Sequence, residues 1–406
     1  MPASPPDSSG LPPPSVTSSS DTAAPPLERA PSRPLAWRVN AWLFVATVAS
    51  VFVTGANIDW SMAHESTRAS LVHGAQFTGA LMSILLAHEF GHFVAARIHK
   101  VDASLPYFLP LPIVSPFGTM GAVIRMRSVI PTRRALLDIG AAGPLAGLVL
   151  AIPLYAWGTG RCELVRLDAL GGMGDSLQFG DSILTRLLDR WFAGPVPEGM
   201  DRLISPFQYA GWVGMFVTMI NLIPVGQLDG GHVAFSLFGP RQNRLAQWVH
   251  RSMLVFFFVS VASYVARDLH GGFGLRHIGH HVNNSLFWLF WFEMLAILGS
   301  LSSSPSPSER GDVRLGTRTR LFAMVGLALL AGLFRDSPTA VLWTAWFAGL
   351  GVLLVMEARW GALRPTSKLL DHPPTGAKAL TLGRMVVAIV TLAFFALLFM
   401  PAPITM

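Results

Sequence analysis

The stretch Leu81–Arg97, LMSILLAHEFGHFVAAR, sets His88, Glu89 and His92 in a segment that is otherwise apolar almost all the way round up to Arg97. Residues four apart share one face of a helix, so His88 and His92 can present two imidazoles to one metal ion. Glu89, one position along, is placed to reach a water on that ion. A bound zinc lowers the pKa of its water to about 7, where a glutamate can take the proton. Between Phe77 and Leu86 the only polar side chains are Thr78 and Ser83. A soluble protein would set this motif in an amphipathic helix. An all-apolar helix reads as embedded in a membrane, where polar groups are costly and need a reason. The plainer alternative is two histidines hydrogen-bonded inside a bundle.

Composition agrees. The chain is 51% hydrophobic and 13% charged, against about 25% charged in soluble domains. It carries a formal charge of +7, but the basic residues cluster beside apolar segments. That is the pattern of membrane topology and excludes nucleic acid as the partner. The single cysteine, Cys162, excludes an intrachain disulfide and a cysteine zinc site.

These features predict an all-α polytopic membrane protein with about nine spans. The spans fall near 41–56, 72–96, 135–157, from 206 onward, 253–265, 286–301, 321–334, 339–356 and 385–399. Residues 1–37 read as a Pro/Ser-rich disordered tail without a cleavable signal, 38–300 as the transmembrane core and 301–406 as a C-terminal transmembrane extension. The polar loop 158–204 is too short for an accessory module of ordinary size. His270, His277, His280 and His281 read as a solvated loop. Asp138 reads as a carboxylate at a helix start.

The apolar segment 101–130 has four prolines between Pro106 and Pro116, which exclude a regular helix. Unpaired backbone cannot face lipid, so the segment is expected to form a re-entrant hairpin or loop beside the metal-binding helix. Within it, Gly118–Ile124 is expected to be an edge strand, with Gly118 and Gly121 letting another backbone approach. In the third span, Gly140, Gly143 and Gly147 permit close helix contact.

The second informative stretch is Asn221–His232, NLIPVGQLDGGH. Pro224, Gly226, Gly230 and Gly231 should unwind the helix there, and irregular backbone at membrane depth is tolerated where it lines a site. A catalytic zinc takes three protein ligands and a water. Asp229 completes the set begun by His88 and His92. With the N-terminus and the active-site end both cytoplasmic, 21 of the 30 Lys and Arg lie on the cytoplasmic side. That orientation brings the two stretches to the same face.

The blocks His88-Glu89-Phe90-Gly91-His92 and Asn221-x-x-Pro224-x-x-x-Leu228-Asp229-Gly230 resemble those of the site-2 protease family of intramembrane zinc metalloproteases. The stretches GTMGAVIRM and GAAGPLAG resemble the branch whose plant members are plastid proteases. The resemblance covers roughly residues 70–300, plus HPPTGAKAL and the last span. It implies His88, His92 and Asp229 as ligands of one Zn2+ per chain, and Glu89 as catalytic base. It also implies that Asn221 holds the substrate main chain or its oxyanion. No PDZ or CBS module is visible, and residues 300–370 look like an insertion.

The expected activity is zinc-dependent cleavage of a peptide bond in or near a transmembrane segment of a membrane-protein substrate within the lipid bilayer. The substrate strand would be added at Gly118–Ile124. The rival from another class is a membrane metal-binding or transport protein without hydrolysis. The internal repeat common in transporters is not seen.

Overall fold

The computed structural model describes residues 37–58, 60, 66–112, 115–128, 130–166, 178–302, 314–376 and 379–405. The expected N-terminal tail lies outside them, apart from Trp37, which opens the first helix.

Helix α1 (Trp37–Ala56) leads to α2 (Thr67–Ile98), which carries the His/Glu motif. Ser66 caps α2 by accepting a bond from the Ala69 N–H. The helix stops where Lys100 turns left-handed at φ 57°. There the Val101 N–H reaches back to the Ala96 carbonyl at 2.9 Å. This is a Schellman closure, and buried Val101 packs on Ala95 and Ala96 beneath it.

The proline-rich segment forms a hairpin of β1 (Tyr107–Pro110) and β2 (Thr119–Val123), as expected of it. The strands are antiparallel, with Tyr107 opposite Val123 and Phe108 opposite Ala122, and a bulge before Pro110. Its backbone is anchored on α1. The Asn40 side chain donates to the carbonyls of Leu105 and Pro106 at 2.9 and 2.8 Å, and Ser50 Oγ donates to the Gly118 carbonyl at 2.6 Å.

Next come α3 (Arg133–Thr159), β3 (Glu163–Arg166), β4 (Gln178–Phe179), α4 (Ile183–Phe192), β5 (Met200–Leu203) and α5 (Pro206–Asn221). Strands β3 and β5 pair antiparallel, so the polar loop is ordered at its two ends. Then α6 (Asp229–Phe238), α7 (Arg241–His270), α8 (Ile278–Ser302), α9 (Thr317–Leu333), α10 (Ala340–Trp360) and α11 (Leu382–Leu398) precede β6 (Ile404–Thr405), which pairs with β4.

The fold is mostly helical, with three two-stranded sheets among the described residues. Each of the nine expected spans falls on a helix. Among the described residues six helices are long and apolar enough to cross a membrane, α1, α2, α3, α7, α8 and α10, against the nine spans expected. Helix α5 has 16 residues, and α9 and α11 have 17 each.

Around the site, α3 packs on α2, α5 and α6. Helices α9 and α10 pack on each other, with α9 against α8, whereas α11 returns to α3 and α6. The main apolar core joins α2, α3 and α5 through Phe77, Leu81, Ile84, Tyr155, Trp212 and Met215.

Two expectations change. Of the histidines expected in a solvated loop, His270 and His277 are exposed and His280 is half-buried, whereas His281 is buried. His280 and His281 lie in the first turn of α8, and both His277 and His281 bond the Asp268 carboxylate at 2.8 and 2.9 Å. The Asp268 carboxylate gives buried His281 a polar partner inside the protein, while His277 closes on it from the exposed side. Asp138 is more than a helix-start carboxylate. It accepts from Arg384 at the start of α11 at 2.7 Å and pairs with His99 at the end of α2 at 2.8 Å, tying three helices together.

Candidate metal centre

His88, Glu89 and His92 are all buried on α2. Asp229 is the first residue of α6 and enters from across the bundle. The chain between α5 and α6 explains how it gets there. Helix α5 ends at Asn221, the loop 222–228 turns through Gly226 at φ 55°, and α6 restarts at Asp229. The expected unwinding therefore stops at Leu228. Gly230 and Gly231 are helical, and their role is close approach. A Cβ on Gly230 would strike the Leu222 carbonyl, and one on Gly231 the Gly226 carbonyl.

The three candidate donor atoms form a small triangle. His92 Nε2 lies 3.2 Å from His88 Nε2 and 3.2 Å from Asp229 Oδ2. His88 Nε2 lies 3.4 Å from the same oxygen. A tetrahedral zinc with ligands at about 2.0–2.1 Å has ligand–ligand edges of roughly 3.3 Å. The triangle is thus the face of such a tetrahedron, with a fourth position left over. His92 Nδ1 donates to the Ile139 carbonyl at 2.8 Å. In the neutral ring that bond leaves the Nε2 lone pair aimed at the other two donors. The donor set, its size and its tautomer all fit zinc.

The glycines of α3 turn out to be the seat of this centre. A Cβ on Gly143 would collide with the His92 ring at Nε2. One on Gly147 would press on His88 at 3.3 Å, and one on Gly91 would meet the Ala142 carbonyl at 2.5 Å. The sequence pattern predicts helix contact for the α3 glycines. For Gly143 and Gly147 the contact is with the imidazoles themselves, whereas Gly140 makes the expected close helix contact, on His232 Cβ and the Asp229 carbonyl of α6.

Asn221 is at the rim of the triangle, with its Nδ2 3.4 Å from His88 Nε2. Gly121 has a left-handed φ of 90°, and a Cβ there would find only Val217 Cγ1, at 3.9 Å. That space lies between β2 and α5, one turn before Asn221. Gly118 behaves differently. Its φ is 74°, and a Cβ would strike Thr54, Ser50 and Val51 of α1. Its close backbone approach is to α1, within the protein.

A helical bundle of apolar helices around two histidines, a carboxylate and an adjacent glutamate defines a membrane-embedded metal-site protein of the H-E-x-x-H type. Comparison with known proteins agrees with that class. Residues 76–260 match the model of peptidase family M50. It is 36% identical over 257 residues to "Probable zinc metalloprotease EGY2, chloroplastic" of Oryza sativa subsp. indica, covering 63% of this chain and 42% of that relative. It is also 36% identical over 162 residues to "Probable zinc metalloprotease EGY1, chloroplastic" of Arabidopsis thaliana, covering 39% of this chain and 29% of that protein. The chain therefore spans about two fifths of the length of the first of these relatives. No solved structure matches it.

Proposed function

We propose that the chain is an intramembrane zinc-dependent endopeptidase that cleaves a peptide bond in or near a transmembrane segment of another membrane protein. The observation that carries the reading is the triangle of buried His88 and His92 with half-buried Asp229, with Glu89 next to His88 on α2, in a bundle where α2 and α3 are long enough to cross a bilayer. One zinc per chain, held by these three residues, would supply a polarised carbonyl and an acidified water.

The protein's own groups then have separable tasks. Glu89, one residue from His88, takes the proton of the attacking water and returns it to the leaving amine. The Asn221 amide, beside His88 Nε2, donates to the substrate main chain as its oxygen gains charge. A helical substrate shields its peptide bonds, so the cleaved segment is bound extended, added as a strand near Gly121 in the space facing Val217. Gly118 supports that strand from behind through α1. The charge distribution supports a cytoplasmic N-terminus and active-site end, with 38–300 as the protease core and 301–406 as the extension.

The test is to compare membrane-protein fragments in cells bearing the parent chain and its Glu89→Gln form. New termini inside or beside apolar segments should appear with the parent alone. Identical fragment sets would contradict the reading.

A further inference from the structure

The helix that carries Asp229 starts weakly. Its N-cap, Leu228, makes no side-chain capping bond, and Gly230 and Gly231 fill its first turn. Glycine is among the weakest helix formers, so this turn has little stability of its own. A metal ligand on such a turn needs an anchor from elsewhere. The far end of α6 has one, since Arg133 donates to the carbonyls of Ser236 and Leu237.

Near the start of α6, the anchor is His232. It lies three residues from Asp229, and residues at that spacing are neighbours on a helix surface. His232 Nδ1 is 2.8 Å from His372 Nε2. His372 belongs to the linker between α10 and α11 and is itself held on three sides. Its Nδ1 donates to the Pro373 carbonyl at 2.7 Å. Its backbone N–H donates to Asn243 Oδ1 of α7 at 3.0 Å. Its ring stacks on Phe235, with centroids 4.3 Å apart. Burial also pushes the His372 imidazole below its ordinary pKa, which favours the neutral ring. With Nδ1 committed to a carbonyl, Nε2 of that ring is the acceptor and His232 the donor.

We propose that His372 is a positioning residue for the metal centre: through the hydrogen bond it accepts from His232, it fixes the turn of α6 that presents Asp229. The linker after α10 thereby acts as a clasp on a metal-bearing helix that lacks its own cap. The proposal rests on the metal-centre reading above and adds a residue remote in sequence from every ligand.

The test uses the full chain in detergent, with zinc affinity measured by chelator competition and cleavage of a membrane substrate measured alongside. His372→Leu removes the acceptor. It should raise the zinc dissociation constant on the order of tenfold or more, as for other residues that orient a ligand, and lower kcat at limiting zinc with KM unchanged. His372→Gln offers an oxygen where Nε2 stood and should stay within about threefold of the parent. A zinc affinity within about twofold of the parent in His372→Leu overturns the proposal. So does a loss in His372→Gln equal to that in His372→Leu, which would assign the effect to ring stacking. If His372→Leu does not fold, Asn243→Ala carries the test, because it frees the linker without touching either imidazole. Weaker zinc binding there supports the clasp, and unchanged binding overturns it. A parent chain that takes up no zinc at all is a separate result. It removes the metal-centre reading and the clasp with it.

Discussion

The candidate metal centre and the cluster around Arg320 are both polar groups set among apolar helices, and they are built in opposite ways. At the metal centre, two imidazoles and a carboxylate point their donor atoms at one another across 3.2–3.4 Å with no cationic side chain between them. In the second cluster the charges already meet their opposites. Arg320 of α9 is paired through Nε and Nη2 with both oxygens of Glu357 on α10, one of which also accepts the Ala362 N–H. Glu293 of α8 lies 3.8 Å from the same guanidinium. All three are fully buried. Burial of ionisable groups is therefore common to a structural lock and a candidate reactive site. Convergent donors without a protein counter-ion separate the two.

The largest expected effect breaks the lock. Arg320→Met leaves two carboxylates buried without their counter-charge and should cost about 3–5 kcal/mol of stability. Thermal or denaturant unfolding would read this, and zinc affinity should stay near that of the parent. Arg320→Met combined with Glu357→Leu and Glu293→Leu should recover most of the loss, since a buried ionic cluster replaced whole by apolar residues is often close to neutral.

Gly143→Ala acts on the other cluster. Its methyl group must displace the His92 ring, so zinc affinity should fall on the order of 10- to 100-fold while the fold persists. Equilibrium dialysis against buffered zinc would show it. A third variant addresses the space beside the centre. Val217→Phe fills the gap facing Gly121 and should raise KM about three- to tenfold with little change in kcat, the pattern expected when uniform binding is lost. The smallest effect belongs to the Asp138–Arg384 pair, whose side chains are 26% and 33% exposed. Arg384→Ala should cost about 1 kcal/mol or less, because solvent screens such pairs.

What could be read in the sequence was local. His88 and His92 are one helical turn apart, the prolines of 106–116 deny a helix, and Pro224 with Gly226 marks the break that brings Asp229 inward. Each of these depends on spacing within a few residues. The features that escaped are contacts between distant parts of the chain. Gly143 meets His92 from another helix, His232 meets His372 from beyond α10, and Asp138 meets Arg384 from the start of α11. Asp268 gathers two histidines that composition alone leaves looking solvated. Gly118 was legible as a close approach, but only the fold shows that α1 fills it.

The most direct measurement is on purified Glu89→Gln protein: zinc per chain by elemental analysis, together with the rate of cleavage of a membrane-protein substrate. The account predicts zinc content equal to the parent's, about one per chain, since Glu89 is not among the three ligands. It also predicts a rate lower by at least about 100-fold, the usual contribution of a positioned acid–base group. Cleavage at the parent's rate, or loss of zinc along with activity, would contradict the assignment of His88, His92 and Asp229 as ligands and Glu89 as base.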